Sequence, residues 1–487
     1  MPSTVVLRTR EEIGLIRPEL HGHFLEHLGT ATYGGIWVGR NSTVPNIGGI
    51  RKQAIADLRS LGIPVLRWPG GCFADNYHWR DGIGAPERRP RRVNLWWNAT
   101  VEDNSFGTHE FMELCKLLGA APYLAANVGS GTPAEGRDWL EYCNFPSGST
   151  LADERAANGA PDPFAVRYWG IGNESWGCGG HMSAEEYAAH FCRYATYFPA
   201  YGGTVPALIA VGPESNNLEW TRRFLDAFWK ARKYRPPLYA LAMHFYCWGK
   251  STPTAYTPDT LREQLAQFDE LESAIVQQRA LIDSYPVDPR TGRTGLMVDE
   301  WGTWDVSDKA VEKEHGLLWQ QNTIRDGIAA GLALNVFHRQ AEKLVMCNLA
   351  QLVNVLQAPL LTRGGECVKT PTYYAFHMNR HHRGRQSVRV ESAPPLSVSA
   401  SRDDRHLAVT IVNPDHAEGR DVRCVIEGDR PERASAMMLH HGDMNACNTF
   451  ESPGTVAPGE FPVTLAKNEI LGHIPPLSLI ALDVRLA

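Results

Sequence analysis

Eight short apolar runs, separated by longer amphipathic segments, divide the first 380 or so residues of the chain. Most of the runs are continuously apolar, which is typical of strands that are buried on both faces of a parallel sheet. The predicted strands are 21–28, 65–71, 121–129, 166–174, 208–215, 239–246, 294–301 and 344–352. Eight strands with helices between them predict a (β/α)8 barrel of the TIM type, and an open doubly wound sheet is the alternative.

Helical patterns lie between the apolar runs. Ser183 and Glu186 have the spacing of a capping box, which predicts that a helix begins there. Further helices are predicted at 217–230, 260–284 and 316–332.

The hydrophobic pattern changes at the polar stretch 379–385. Beyond it apolar residues recur with a period of two, as at Leu407, Val409 and Ile411, which predicts an all-β, jelly-roll-like sandwich of about 100 residues. The segment 4–8 is also strand-like, and we expect it to pair with this sandwich. The predicted domains are a catalytic barrel at 15–380 and a sandwich that combines 1–14 with 381–487.

Charge and composition exclude several classes of function. A net charge of −6 offers no basic face for nucleic acid or for an anionic membrane, and no apolar stretch is long enough to span one. The N-terminal segment has no signal-peptide pattern, so we expect a cytoplasmic protein. The ten cysteines show no CxxC spacing and are expected to be reduced thiols.

Two of the predicted strands end in carboxylates. The fourth run ends in Asn173 and Glu174, and the seventh ends in Asp299 and Glu300. Active sites of (β/α)8 barrels lie at the carboxyl ends of the strands, where a buried carboxylate needs either a partner or a catalytic role. The structural alternative is an ion pair with a neighbouring cation such as Arg67.

Two carboxylates that face one pocket can cleave a glycosidic bond. One carboxyl protonates the leaving oxygen while the other attacks the anomeric carbon, and in retaining enzymes the two groups lie about 5–5.5 Å apart. Sugar hydroxyls and ring faces also require polar and aromatic side chains. Candidates near the strand ends are Glu26, Arg67, Cys72, His244, Tyr246, Gln351, Trp68, Trp176, Trp248, Trp301 and Trp304.

Six segments of the chain together resemble glycoside hydrolase family 51, most of whose characterised members are α-L-arabinofuranosidases. They are GHFLEHLG (22–29), LRWPGGCFADNYHWRDGIG (66–84), NVGSGTP (127–133), YWGIGNESWGCGG (168–180), VDEWGTW (298–304) and NLAQLVNVLQ (348–357). The resemblance implies a barrel with a β-sandwich, a retaining mechanism, and an intracellular homo-oligomer, either a hexamer or a trimer of dimers. It also implies arabinose-containing oligosaccharides as substrates, without a cofactor.

The resemblance also implies roles for particular residues. Glu174 corresponds to the general acid/base and Glu300 to the nucleophile. Asn173 corresponds to the residue that hydrogen-bonds the 2-hydroxyl of the sugar. The positions that hold the arabinofuranosyl ring are matched by Glu26, Tyr246 and Gln351, while Cys72 stands where many members have Asn.

Two other functions stay open at this point. The same family includes endo-glucanases, and its arabinofuranosidases can also act on β-xylosides. A barrel that binds carbohydrate without catalysis is the alternative from another class. No metal site is predicted, because the histidines at 21–27 and 377–382 lack a carboxylate-containing ligand pattern. The first group is expected at the barrel mouth, and the second is expected to be solvated.

Overall fold

A computed structural model describes residues 2–230 and 235–487. Eight parallel strands, each paired with its neighbours in chain order, close into a barrel, which confirms the predicted (β/α)8 architecture and excludes the open sheet. The barrel strands are Gly22–Phe24, Val65–Trp68, Ala121–Ala126, Tyr168–Ile171, Ala207–Glu214, Ala240–Trp248, Gly295–Trp304 and Leu344–Ala350. Several of these strands, including Val65–Trp68 and Tyr168–Ile171, are buried along their whole length, as a continuously apolar run requires.

Several helices begin at local capping signals. Ser183 Oγ accepts a hydrogen bond from the backbone N–H of Glu186, and a carboxylate oxygen of Glu186 accepts one from the N–H of Ser183, as predicted. The α-helices of the described residues are Lys52–Leu61, Thr108–Leu118, Pro133–Asn144, Thr150–Ala157, Ala184–Ala195, Leu218–Trp229, Pro258–Asp283, Lys309–His315, Ile324–Arg339 and Pro371–Asn379. The helix predicted at 316–332 is therefore wrong in its limits, because Asp326 accepts from the N–H of Thr323 and the helix begins there.

The loops between these strands and helices contain shorter elements. The short 3-10 helices are Pro18–His21, Ala74–Asn76, Trp79–Gly82, Pro86–Arg88 and Arg380–His382. Two-stranded ribbons pair Asn46–Ile47 with Ile50–Arg51, Arg92–Val93 with Val101–Glu102, and Leu360–Arg363 with Glu366–Lys369. Within residues 2–230 and 235–487, no helix combines the length and the apolar character needed to cross a membrane.

The remaining strands form one hydrogen-bonded series of ten. Their order is Gly459–Glu460, Pro431–His440, Ser478–Leu486, His406–Asn413, Ser397–Arg402, Gln386–Glu391, Ser3–Leu15, Arg420–Glu427, Glu469–Ile474 and Thr464–Ala466. Ala436 and Ile470 lie near opposite ends of this series yet belong to one buried apolar cluster, so the sheet folds over its own core. The N-terminal strand is antiparallel to Gln386–Glu391 and parallel to Arg420–Glu427, which confirms its predicted place.

The backbone groups into two compact units whose limits do not coincide with the predicted domains. One unit comprises the residues up to 21, together with 246–275 and 301–487, and the other comprises 22–245 and 276–300. The first contains the ten-stranded sheet, and the second contains most of the barrel strands. The predicted domain limits, 15–380 for the barrel and 1–14 plus 381–487 for the sandwich, stay a prediction.

Three histidines are stacked within the first unit. The rings of His338 and His382 have centroids 4.4 Å apart, and His21 Nε2 lies 2.9 Å from His338 Nε2. His382 is only 1% exposed and its two ring nitrogens contact Ser401 and Thr410, so the expectation that it is solvated is wrong. Burial lowers the pKa of His382 to about 3 and holds the pKa of His338 well below its usual range.

These buried histidines predict a loss of stability in acid. Between the ordinary pKa of about 6.5 and the depressed folded values, the unfolded chain binds protons that the folded chain does not. The free energy of unfolding should therefore fall as the pH drops from about 6.5 towards 3, by up to about 1.4 kcal/mol per pH unit for each histidine. We expect His382→Asn to flatten this slope in a pH series of thermal midpoints. The exposed His473→Asn is the control, and equal slopes in all three proteins would contradict the prediction.

Candidate active site

Arg67, on the second barrel strand, lies at the centre of a buried group of polar side chains. Its Nη1 donates to Oε1 of Glu300 at 2.6 Å, and its Nη2 donates to Oδ1 of Asn173, also at 2.6 Å. Its Nε lies 3.3 Å from Asp299 Oδ2, and the same Asp299 oxygen accepts a hydrogen bond from Tyr123. Burial alone would lower the pKa of Arg67, but the charges of Asp299 and Glu300 outweigh it and raise that pKa. The guanidinium therefore stays charged and fixes the orientation of Glu300 and Asn173.

His244, on the sixth barrel strand, lies against both predicted catalytic carboxylates. Its Nδ1 is 2.9 Å from Oε1 of Glu174 and 3.6 Å from Oε2 of Glu300. Burial by itself lowers the pKa of His244, but the charge of Glu300 and the hydrogen bond to Glu174 raise it above its usual value. One oxygen of Glu174 and one of Glu300 lie within 4.8 Å of each other, close enough for both carboxylates to reach one glycosidic bond.

Glu26 and the Gly70-Gly71 turn lie beside the same carboxylates. Glu26 Oε1 accepts hydrogen bonds from the backbone N–H of Phe73 and from Nε1 of Trp97, both at 3.0 Å. A Cβ on Gly71 would stand 3.0 Å from Oε1 of Glu300 and 3.3 Å from Oε2 of Glu26. The absence of a side chain at Gly71 is what lets the two carboxylates approach this turn.

Asp75 is a site residue that the sequence analysis missed. Its Oδ2 accepts a hydrogen bond from the backbone N–H of Asn173 at 2.7 Å. Its Oδ1 accepts from the N–H groups of Val128 and Gly129 at 2.6 and 2.8 Å. Burial raises the pKa of Asp75 to about 7, and the three N–H donors act in the opposite direction. The available signal was an acidic residue a few positions beyond the Gly-Gly turn, inside a segment already singled out.

A disulfide joins Cys72 to Cys178, so the expectation that all ten cysteines are reduced is wrong for this pair. The two residues are 106 positions apart in the sequence, and only the barrel brings the loops after its second and fourth strands together. Their sulfurs lie 4.0 Å (Cys72) and 3.5 Å (Cys178) from Oε2 of Glu174. A disulfide sulfur carries no proton, so Cys72 has no thiol with which to donate to a sugar. Within residues 2–230 and 235–487, the other eight cysteines take part in no disulfide.

The predicted aromatic residues differ in how far they are exposed. Tyr246 and Trp248 both pack near Trp304, with ring centroids at 5.0 Å in each case, and Trp248 is 53% exposed. Trp301 is only 1% exposed and packs on Phe337 and Phe376. Trp301 therefore belongs to the apolar core, and its predicted role as a sugar-binding surface is wrong. Like Trp301, Trp68 is a core residue and stacks on Phe111. Gln351 is buried directly after the last barrel strand.

Among the described residues, two clusters have the ligand atoms that could approach a metal ion. One combines Glu174, His244 and Glu300, and the other combines Glu174 with the two half-cystines. The half-cystines have no thiolate to offer a metal. In the first cluster the Arg67 guanidinium already holds Glu300 at 2.6 Å, and its positive charge opposes a cation there. The arrangement suits acid–base and nucleophilic chemistry by the side chains themselves.

A (β/α)8 barrel with two neighbouring glutamates, one just beyond the fourth strand and one on the seventh, is an architecture typical of glycoside hydrolases. Family models agree: the α-L-arabinofuranosidase 1 domain matches residues 57–256, and the α-L-arabinofuranosidase C-terminal domain matches 299–478. The intracellular exo-α-L-arabinofuranosidase of Bacteroides ovatus is 38% identical over 99% of this chain and 96% of its own. The chain therefore belongs to the α-L-arabinofuranosidase family, glycoside hydrolase family 51, and is a glycosidase.

Solved structures are similar over the whole chain. The crystal structure of the family 51 arabinofuranosidase of Xanthomonas axonopodis pv. citri has a TM-score of 0.93 at 35% identity and covers 99% of both chains. An arabinose complex of the Thermotoga maritima α-L-arabinofuranosidase has a TM-score of 0.87 at 30% identity, and covers 99% of this chain and 100% of its own.

The disulfide predicts a measurable stabilisation. A cross-link that closes so long a loop contributes about 2–4 kcal/mol in typical proteins. We expect the Cys72→Ser/Cys178→Ser double variant to melt several degrees lower than the unsubstituted protein, whereas Cys367→Ser should melt close to it. Peptide mapping by mass spectrometry without reductant should recover the 72–178 cross-linked pair. Failure to find that pair in oxidised protein would contradict the assignment.

Gly71→Ala tests the close approach of the turn to the carboxylates. The added methyl group would press on Glu300 and Glu26, and a displacement of about 1 Å in a catalytic group can cost roughly 100-fold in rate. We therefore expect glycosidase turnover to fall at least about tenfold, with a smaller effect on the thermal midpoint. Gly365→Ala is the control, because a Cβ there meets nothing within 4 Å. Unchanged kcat in Gly71→Ala would count against this geometry.

Proposed function

We propose that this chain is a retaining, exo-acting α-L-arabinofuranosidase that releases terminal non-reducing α-L-arabinofuranosyl residues from arabino-oligosaccharides. The observation that carries the proposal is the pairing of Glu174 with Glu300, whose nearest oxygens lie within 4.8 Å around His244. That spacing suits direct attack by one carboxylate better than the wider gap that inverting enzymes keep for a water molecule. The exo-acting activity named for the Bacteroides ovatus relative supports the choice of substrate.

In the first step Glu300 is the nucleophile. Its ionised carboxylate attacks the anomeric carbon and forms a covalent glycosyl ester as the bond to the leaving oxygen breaks. Protonated Glu174 donates its proton to that oxygen, so the aglycone leaves as a neutral alcohol. The hydrogen bond from Arg67 keeps Glu300 ionised and aimed, since the guanidinium holds one of its oxygens at 2.6 Å.

In the second step Glu174 acts as a base. Its ionised carboxylate takes a proton from water, the resulting hydroxide equivalent attacks the anomeric carbon, and the bond to Glu300 breaks. The two inversions release arabinose with its original configuration and return both carboxyls to their starting states. His244 Nδ1 lies 2.9 Å from Oε1 of Glu174. The raised pKa of His244 favours a protonated ring, whose Nδ1–H donates to Glu174 while that carboxylate is ionised.

The surrounding side chains would hold the sugar. Asn173, oriented by Arg67, is placed to hydrogen-bond the 2-hydroxyl, a contact that strengthens in the transition state. Glu26 has one oxygen committed to Phe73 and Trp97. We keep Glu26, Tyr246 and Gln351 as proposed ring-binding residues, along with Arg67 and His244, and remove Trp301 from that set.

The wider setting is also proposed. We infer that the protein acts in the cytoplasm, in line with the intracellular label of its Bacteroides ovatus relative. We further infer that it assembles as a homo-oligomer, either a hexamer or a trimer of dimers. Arabinose-containing oligosaccharides are its proposed substrates, and it needs no metal or organic cofactor for the chemistry described.

The nucleophile assignment has a stereochemical test. Glu300→Ala should lower turnover of 4-nitrophenyl α-L-arabinofuranoside by at least about 1,000-fold, because the covalent step is lost. Added azide can occupy the vacated space, attack the anomeric carbon directly and restore release of nitrophenol, with the inverted β-arabinofuranosyl azide as product. Nuclear magnetic resonance of that product identifies the anomer.

Glu174→Ala is the matched variant for the acid/base. Azide should also accelerate it, but through the intact glycosyl ester, so that the product is the retained α-azide. Near-normal activity of Glu300→Ala without azide would remove Glu300 from the nucleophile role. Release of internal fragments instead of arabinose from a linear arabino-oligosaccharide would overturn the exo assignment.

A further inference from the structure

Asp75 connects three barrel strand ends through one carboxylate. It lies on the short 3-10 helix Ala74–Asn76, which follows the second strand, and it is 4% exposed. Its Oδ1 accepts from Val128 and Gly129, beyond the third strand, and its Oδ2 accepts from Asn173, beyond the fourth. The main chain of Asp75 adds a further tie, since its carbonyl oxygen accepts from the N–H and the hydroxyl of Ser130.

The N–H that Asp75 holds belongs to the residue just before Glu174. Glu174 itself has φ of +36°, a left-handed conformation that costs energy for a residue with a side chain and persists only where its surroundings impose it. The carbonyl of Glu174 in turn accepts from the N–H groups of Gly177 and Gly179, which closes a tight turn. A Cβ on Gly179 would lie 2.7 Å from Oδ2 of Asp75, so this turn is folded directly onto the Asp75 carboxylate.

We propose that Asp75 is a positioning residue, which fixes the peptide before Glu174 and thereby aims the Glu174 carboxyl at the leaving-group oxygen. This inference rests on the proposed function, in which Glu174 is the general acid/base. Asp75 acts through the backbone of Asn173, not on the sugar.

Acid catalysis by Glu174 can be measured separately from the other steps by varying the leaving group of the substrate. A poor leaving group, such as an alkoxide, departs only when Glu174 protonates it in the transition state, whereas a nitrophenolate departs with little help. A misaimed Glu174 therefore slows the two classes of substrate unequally. A general loss of folded enzyme would slow them by the same factor.

Asp75→Asn is the sharpest substitution, because it keeps the size of the side chain. The amide oxygen can still accept from Val128 and Gly129, but the amide NH2 then faces the N–H of Asn173, so the contact before Glu174 is the one that is lost. The probes are methyl α-L-arabinofuranoside, with a poor leaving group, and 2,4-dinitrophenyl α-L-arabinofuranoside, with a good one. We expect kcat/KM to fall at least about 100-fold for the first substrate and less than about tenfold for the second.

Azide gives a second readout on the activated substrate. Because the glycosyl ester still forms, azide should raise turnover of Asp75→Asn and yield the retained α-azide, as for a variant damaged in the acid/base. Asp288→Asn is the matched control. Asp288 is another buried aspartate that accepts from a backbone N–H, that of Arg290, and it precedes the amino end of the seventh barrel strand. It should leave the ratio of the two substrates unchanged.

Equal losses on the two substrates, without azide rescue, would overturn the positioning role. If Asp75→Asn does not fold, Asp75→Ser provides the same comparison, and the same ratio decides. Failure of the proposed function looks different, because the unsubstituted protein would then hydrolyse neither arabinofuranoside. An active unsubstituted enzyme with a flat substrate ratio in the variant removes only the inference about Asp75.

Discussion

The fork of hydrogen bonds from Arg67 to Glu300 and Asn173 organises the site. Burying a guanidinium and a carboxylate costs several kcal/mol for each ion, and such a pair repays the cost only with close contacts and full hydrogen bonding. Arg67 meets this cost with close contacts, since its two terminal nitrogens each make a 2.6 Å hydrogen bond and its Nε forms an ion pair with Asp299 Oδ2 at 3.3 Å. The arrangement fixes orientation, because the same planar guanidinium holds both Glu300, the proposed nucleophile, and the amide of Asn173, the proposed partner of the sugar 2-hydroxyl.

Other contacts bring the second carboxylate to the first. His244 reaches both Glu174 and Glu300, and Asp75 holds the peptide that precedes Glu174. Gly71 lets Glu26 and Glu300 approach one backbone turn. Charged groups that would repel one another in isolation are held together here because each has a cation or an N–H donor beside it.

The disulfide between Cys72 and Cys178 is part of the candidate active site. A cross-link between Cys72 and Cys178, with its sulfurs in contact with Glu174, lies at the site and not at the periphery. The lack of a CxxC spacing and of a signal-peptide pattern predicted a fully reduced protein, but the two half-cystines are 106 residues apart in the sequence. Proximity in a barrel depends on which strand ends a loop follows, and sequence separation does not report it.

The sequence by itself determined the barrel and the place of the N-terminal strand, because burial on two faces leaves continuous apolar runs and a sandwich strand alternates. It also placed Glu174 just after one apolar run and Glu300 on another, although the strand that carries Glu300 continues to Trp304. The sequence could not show which side chains the residues near the strand ends contact. Trp301 follows Glu300 directly, yet it packs on Phe337 and Phe376 because successive residues of a strand point to opposite faces. Tertiary structure alone likewise determined the contacts of Asp75, the pairing of the disulfide and the burial of His382. Each depends on segments that meet only after the chain has folded.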